Sequence, residues 1–335
     1  MSKKIITNLL RYATREGAHN LTITSRPHQI SFDYLPADGV RREFSLPKKL
    51  EQNFIGNLRQ ILAVAPQELI VKKYCRLNDQ QGRLAFYLTI LPDGQGEKII
   101  ININNRENDI WRLNQLGLQT SDRHALQKAI HGRSGLIIIS SPPDGGKSTT
   151  LRALLTELND PRLNIYFLSE NLPIELPGIN LLANRPANWD KIIRHDCEII
   201  AVDDLDEAGS LEKALRAAAS GRLVLGTMTG DDSFEILNKL LAVNLPLKLK
   251  LDGLKMIVSQ RLADLKRSGT KKNQRQKIAL FEILSLNADL KKFLSETNSD
   301  ETREFAAALE KIALTSGFRP WTTDRRQKIK DGLLV

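Results

Sequence analysis

The chain has 335 residues, 41% of them hydrophobic and 26% charged, with a formal charge of +10 and only two cysteines. That length predicts two domains, each with apolar residues enough for its own core. No apolar run reaches the ~20 residues of a membrane span, Met1-Ser-Lys-Lys lacks a secretory apolar stretch, and Cys75 and Cys197 are too few for a disulfide framework or a four-cysteine zinc site. A cytoplasmic protein with no integral membrane segment is expected, and Cys197 reads as a buried thiol.

Ile5, Leu9, Leu10 and Tyr12 predict a short amphipathic helix, and Leu21–Thr24 and Gln29–Tyr34 predict two alternating strands around Arg26-Pro27. Asp38-Gly39 is a hairpin signal before a strand at Phe44–Leu46. Leu50–Val64 has a helical pattern, and Arg83–Leu91 and Lys98–Asn104 are strand-like on either side of Pro92–Gly96. These segments predict a smaller N-terminal α+β domain over residues 1–104. Polar Asn105–Asp109 opens a linker over 105–118.

Residues 119–335 alternate strands and helices, which predicts an α/β, doubly wound core. A helix over Ser121–His131 leads into Leu136–Ile139, four apolar residues in a row that read as a fully buried parallel strand. A turn over Pro142–Gly146 follows, then Lys147-Ser148-Thr149-Thr150, with Leu151, Leu154, Leu155 and Leu158 at helical spacing. Strand, glycine turn, Lys-Ser and helix make a P-loop. Its backbone N–H groups wrap phosphates, Lys147 places a point charge at the β and γ positions, and the Ser148 hydroxyl ligates Mg²⁺, all at a positive helix N-terminus. The candidate nucleotide-binding residues are Ser141, Asp144, Gly145, Gly146, Lys147, Ser148 and Thr149. The full pattern asks for glycine where Ser141 stands, and only backbone geometry decides whether the serine keeps the bend.

Asn159-Asp160-Pro161 stops that helix before a strand at Leu163–Leu168. Glu198–Val202 followed by Asp203-Asp204 has the form of a Walker B strand, with acids at the C-terminal end where an α/β sheet places its ligand. Asp203 is the candidate Mg²⁺ ligand and Asp204 the candidate catalytic base. A helix over Leu211–Ala218 closes at Gly221, and Leu223–Leu225 is the next strand. Helices are predicted over Ser233–Ala242 and Pro246–Asp264, a strand at Ile278–Leu284, and helices over Glu301–Ser316 and Asp324–Lys330 in a helical C-terminal subdomain from about residue 285.

The basic charge points to acidic partners. Its two densest runs, Lys266–Lys277 and Arg325–Lys330, interleave no aromatics, so a base-stacking surface is unsupported and nucleic acid is not expected. They read as a solvated loop and a solvated helix face. His19, His28, His124, His131 and His195 have no metal spacing, and Trp111, Trp189 and Trp321 read as packing residues.

Further short motifs lie in a set order: Gln81-Gly-Arg83, Leu91-Pro92, Gly96-Glu-Lys98, Leu116-Gly-Leu118, the P-loop, Leu176–Asn180, Arg194-His-Asp196, Arg216-Ala-Ala218, Leu223–Thr227, Gln260-Arg-Leu262, Phe281–Leu284 and Asp331-Gly332. In that order they resemble, over almost the whole chain, the motor ATPases of type II secretion and type IV pilus assembly. Gly317-Phe-Arg before Asp324 is similar to assembly motors rather than retraction motors. The resemblance implies a RecA-like P-loop NTPase core hinged to the small domain and the cofactors ATP and Mg²⁺, with no zinc. It also implies a homo-hexamer or a mixed ring with a paralogous ATPase, and a platform protein at the inner face of the cytoplasmic membrane.

Departures from the family's pattern are as specific as the matches. Its Glu-Asp-Pro box falls at Ser169-Glu170-Asn171, leaving Glu170 as the second candidate catalytic acid. Its Walker B Gly-Glu is Asp203-Asp204 here, and its histidine box reads Thr227–Asp232 with Thr229 in the histidine's place. Tyr34, Pro36, Tyr87 and Asn102 stand where the small domain carries arginines. An arginine finger is worth roughly 10³ to 10⁵ in rate, and shortening the base by one methylene costs on the order of 10²-fold. The expectation is an ATP-binding motor-type subunit slow in hydrolysis. The alternatives are a non-catalytic scaffold or regulator beside an active paralogue, and a DNA-associated RecA-like motor.

Overall fold

The computed structural model describes the chain except for residues 1, 19, 37–38, 62–63, 66–70, 80–81, 95, 104–110, 170–175, 177, 208, 267–276, 298–302 and 335. Asp38, Gln81, all of residues 105–109, most of the 266–277 basic run, and Glu170 therefore lie outside the described residues. Two compact units divide the chain, Met1–Asp109 and, in the second, Ile110–Arg267 with Gln276–Val335.

The first unit contains α1 (Ser2–Arg15), β1 (Asn20–Ser25), β2 (Gln29–Tyr34), β3 (Arg42–Pro47), α2 (Glu51–Ile61), β4 (Val71–Asp79), β5 (Gly82–Asp93) and β6 (Gly96–Ile103). Its six strands form one antiparallel sheet in the order β3-β2-β1-β6-β5-β4. Alternate residues, Leu21 and Ile23 of β1, Ile99 and Ile101 of β6, Phe86 and Leu88 of β5, share one core with Ile6 and Leu10 of α1 and Phe54 and Leu58 of α2. This period-2 burial is what the sequence alternation predicts. Strand β4, paired with β5 from Val71↔Ile90 to Asp79↔Gly82, was not predicted. Its sequence, Val-Lys-Lys-Tyr-Cys-Arg-Leu-Asn-Asp, carries too many charges to stand out as a strand.

The second unit runs α3 (Thr120–His131), β7 (Gly135–Ser141), α4 (Lys147–Leu158), β8 (Ile165–Leu168), β9 (Ile179–Leu182), α5 (Pro186–Arg194), β10 (Ile199–Val202), α6 (Ser210–Ala219), β11 (Leu223–Thr229), α7 (Ser233–Ala242), α8 (Leu247–Gly253), β12 (Leu254–Asp264), β13 (Lys277–Ser285), α9 (Ala288–Glu296), α10 (Arg303–Thr315) and α11 (Trp321–Lys330). Its strands lie in the order β13-β12-β7-β11-β10-β8-β9, all parallel except the β12–β13 hairpin. All seven residues of β7 are buried. Leu136 and Ile138 face a core shared with α6, α7 and α8, while Ile137 and Ile139 face another shared with α3 and α4. Helices therefore cover both faces, as a parallel sheet requires.

Two expectations are corrected. The helix predicted over Pro246–Asp264 ends at Gly253, and Leu254–Asp264 is strand β12, hydrogen-bonded to β7 on one side and β13 on the other. Leu254, Met256, Ile257 and Val258 are buried, so the strand shows no apolar-polar alternation, and such a run cannot be told from a buried helix by period alone. The helix over Arg325–Lys330 is not solvated all round. Lys328 is 2% exposed, pairs with Asp324 at 2.6 Å and donates to the Ala279 carbonyl at 2.7 Å. Asp324 in turn accepts from Phe281 N at 2.9 Å, which fixes α11 on β13. Burial pushes the Lys328 ammonium below its ordinary value, and Asp324 opposes that shift.

Candidate functional site

The P-loop forms where the sequence predicts it. Strand β7 ends at Ser141, Gly146 takes a left-handed φ of 90°, and α4 begins at Lys147. Asp144 also has a positive φ, 57°, so the turn is tight on both sides of Gly145. Ser141 keeps the bend. Its hydroxyl folds onto the Pro142 carbonyl at 2.7 Å, into space that exists because Gly145 has no side chain. A Cβ on Gly145 would lie 2.3 Å from Ser141 Oγ and 2.5 Å from Ser141 Cβ.

Gln260, in strand β12 and 2% exposed, braces the loop. Its Nε2 donates to the Gly145 carbonyl at 2.6 Å, and its Oε1 accepts from Thr150 Oγ1 of α4 at 2.6 Å. The Gln260-Arg-Leu motif marked this residue without revealing its role, because its partners lie more than a hundred positions away in the chain.

The facing wall comes from the ends of β8, β10 and β11. Parallel register sets Thr229 against Ser141 and Val202 against Leu168, so the Walker B acids and the 227–232 box both reach the P-loop. Asp203 Oδ1 accepts from Ser148 Oγ at 3.2 Å and from Thr227 Oγ1 at 3.4 Å, and its Oδ2 accepts from Ser169 Oγ at 3.4 Å. The chain then turns sharply. Asp204 has φ 97°, its carboxylate accepts from Asp206 N at 2.9 Å, and Leu205 fills the space left open by Gly226. Asp206 Oδ2 accepts from Thr229 N at 2.7 Å. Asp206 and Glu207 thus join Asp203, Asp204, Lys147 and Thr229 in lining the cleft. Neither was singled out from the sequence, although four acids within residues 203–207 were a visible signal.

Lys147 Nζ donates to the Ser141 carbonyl at 3.0 Å and to Thr229 Oγ1 at 3.3 Å. Partial burial lowers its pKa, and the carboxylates of Asp206, Asp204, Asp203 and Asp144 oppose the shift. Asp204 is exposed over much of its surface, yet partial desolvation of its carboxylate raises its pKa, with Asp206 and Asp203 adding to the effect. Behind this wall, Ser140, Ser259 and Ser233 join their hydroxyls at 2.6 and 3.0 Å, and Ser233 N donates to the buried Glu282 at 2.6 Å. That chain of bonds anchors the start of α7, and with it the loop after Thr229.

A hydroxyl and a carboxylate already paired at the head of α4 suit a hard divalent cation that takes its other ligands from phosphate and water. No group of three or more His, Cys, Asp or Glu among the described residues is arranged to hold a metal by protein ligands alone. Of the sequence candidates, Ser141, Asp144, Gly145, Gly146, Lys147, Ser148 and Thr149 form one continuous loop and helix start, and Asp203 and Asp204 face it.

Sheet order, helices on both faces and the P-loop define a P-loop protein with a RecA-like core. The model of the family described as "Type II/IV secretion system protein" matches residues 2–311, and the chain belongs to that family. It is 26% identical over 269 residues to a putative type II secretion system protein E of Escherichia coli K12, covering 77% of this chain and 54% of that protein. It is 24% identical over 272 residues to the type IV pilus assembly ATPase PilB of Myxococcus xanthus, covering 78% and 48%. The chain thus spans about half the length of the curated relatives it matches. Its fold resembles the Legionella pneumophila ATPase DotB, at TM-score 0.74 and 16% identity, covering 100% of this chain and 94% of that one. It also resembles the pilus retraction motor PilT, at TM-score 0.74 and 18% identity, covering 98% and 94%. Among the described residues no helix is long and apolar enough to cross a membrane.

Proposed function

We propose that the chain is a motor-type subunit of a type II secretion or type IV pilus assembly system that binds ATP·Mg²⁺ at its P-loop and hydrolyses it slowly. The observation that carries this reading is the contrast within one cleft. Lys147, Ser148 and the braced loop are in place for phosphate binding, while Lys147 is the sole cation among the described lining residues. Phosphoryl transfer depends on positioned cations that meet charge developing at the γ-phosphate, and here that region presents carboxylates. Mg²⁺, held by Ser148 and Asp203, supplies charge neutralisation on the phosphates when bound. Lys147 binds the β- and γ-phosphates, and Asp204 is the group placed to accept a proton from an attacking water. Its shortened side chain and its bond to Asp206 N both work against that role. We further infer a homo-hexamer or a mixed ring with a paralogous ATPase, docked on a platform protein at the inner face of the cytoplasmic membrane, a reading that the family relationship supports.

Calorimetry of the purified chain with ATP and Mg²⁺, beside Lys147→Ala, tests the reading. Binding that depends on Lys147, with little phosphate released from the same samples, supports it. No binding by the wild-type chain sinks it.

A further inference from the structure

In a P-loop the lysine reaches the β- and γ-phosphates, so the groups around its ammonium meet the third phosphate more than the first two. Around Lys147 these are Asp203, Asp204, Asp206 and Glu207, together with Thr227 and Thr229. The backbone donor nearest to hand, Thr229 N–H, is consumed by Asp206 at 2.7 Å. Lys239, the next cation along the chain, is turned to the Thr229 carbonyl at 2.7 Å and paired with Glu235 at 2.7 Å. The α- and β-phosphates meet a different surface, the loop and the N-terminus of α4.

We propose that this cleft discriminates against the γ-phosphate, so that the chain holds a nucleoside diphosphate in preference to a triphosphate, with Asp206 as the specificity-determining residue. This rests on the reading of the P-loop as a nucleotide site. The extra phosphate of a triphosphate adds negative charge beside carboxylates in a partly desolvated cleft, where screening is weaker than at an open surface. Asp206 is tied to the residue that the lysine touches: its Oδ2 accepts from Thr229 N at 2.7 Å, Thr229 Oγ1 accepts from Lys147 Nζ at 3.3 Å, and both Asp206 and Lys147 line the cleft. Ser148 and Asp203 would hold Mg²⁺ with either nucleotide, so the metal does not by itself tell the two apart.

Calorimetry on the full chain with Mg²⁺ compares ADP with a non-hydrolysable ATP analogue. ADP is expected to bind on the order of tenfold more tightly or better, a ratio set by charge repulsion at an effective dielectric well below that of water. Asp206→Asn keeps an oxygen acceptor for Thr229 N–H while removing the charge, and is expected to narrow the ratio about threefold or more. On the wild-type chain, raising salt to about 1 M shortens the screening length to about 3 Å and is expected to narrow it as well. A ratio of one or below, or a ratio that neither salt nor the variant changes, overturns the proposal and leaves the nucleotide site standing. Failure of both nucleotides to bind overturns the site and the proposal together.

Discussion

On the β7–α4 side of the cleft, Gln260 ties Gly145 to Thr150 with two bonds of 2.6 Å, and Ser141 packs into the room that Gly145 leaves. On the β10–β11 side, Asp203, Asp204 and Asp206 occupy a tight turn, and Thr229 spends its N–H on Asp206. One side has the loop and helix start of a P-loop, and the other presents carboxylates. On the function proposed above, binding and turnover are separable, because the residues proposed to hold a nucleotide and those proposed to act on its last phosphate lie on different strands.

Four substitutions test this contrast, taken from the largest effect down. Lys147→Ala removes the one ammonium among the described lining residues and is expected to weaken nucleotide binding on the order of 100-fold by calorimetry, with an unchanged melting curve. Gly145→Ala drives a methyl into Ser141 and is expected to cost about 1–3 kcal/mol of stability. The same change in a Ser141→Gly background is expected to cost much less, and an equal cost in both backgrounds would show that Ser141 is not what confines position 145. Gln260→Ala leaves the Gly145 carbonyl and the Thr150 hydroxyl without their buried partner, an expected loss of about 1–3 kcal/mol in denaturant melts, with weaker nucleotide binding.

The smallest effect concerns the anchor behind the acidic wall. Burial raises the Glu282 carboxyl above its ordinary value, against the bonds from Ser233 and Trp321. Its stabilising contribution is then complete below the unfolded value of about 4.3 and is lost as pH rises through the higher folded value. Glu282→Gln is expected to gain stability over the wild type as pH rises from about 4.3 and to lose that advantage in acid. Thermal melts across that range measure the crossover, and parallel curves would contradict it.

What could be foreseen from sequence follows the range of the interactions. The P-loop was legible because a buried strand, two glycines, Lys-Ser and an amphipathic helix are contiguous, and its folding is local. The position of Asp203 and Asp204 was legible because acids at a strand's C-terminal end face the ligand in any parallel sheet. Strand β12 was misread as helix because burial on both faces erases its alternation. The burial of Lys328 was missed because charge was taken for exposure, although Asp324 four residues before it was a visible partner. The residues Gln260 and Asp206 stood in visible motifs, but their roles were not legible: each acts on a loop that only the sheet order brings alongside.

Single-turnover phosphate release from the chain loaded with ATP and Mg²⁺ bears most directly on the separation of binding from turnover. With Lys147 the sole cation among the described lining residues, and an arginine finger worth roughly 10³ to 10⁵ in rate, the expectation is binding that needs Lys147 and release below about 10⁻² s⁻¹. Steady release at about 1 s⁻¹ or faster from the isolated chain, abolished by Lys147→Ala, would contradict it and mean that the acidic wall supports catalysis after all.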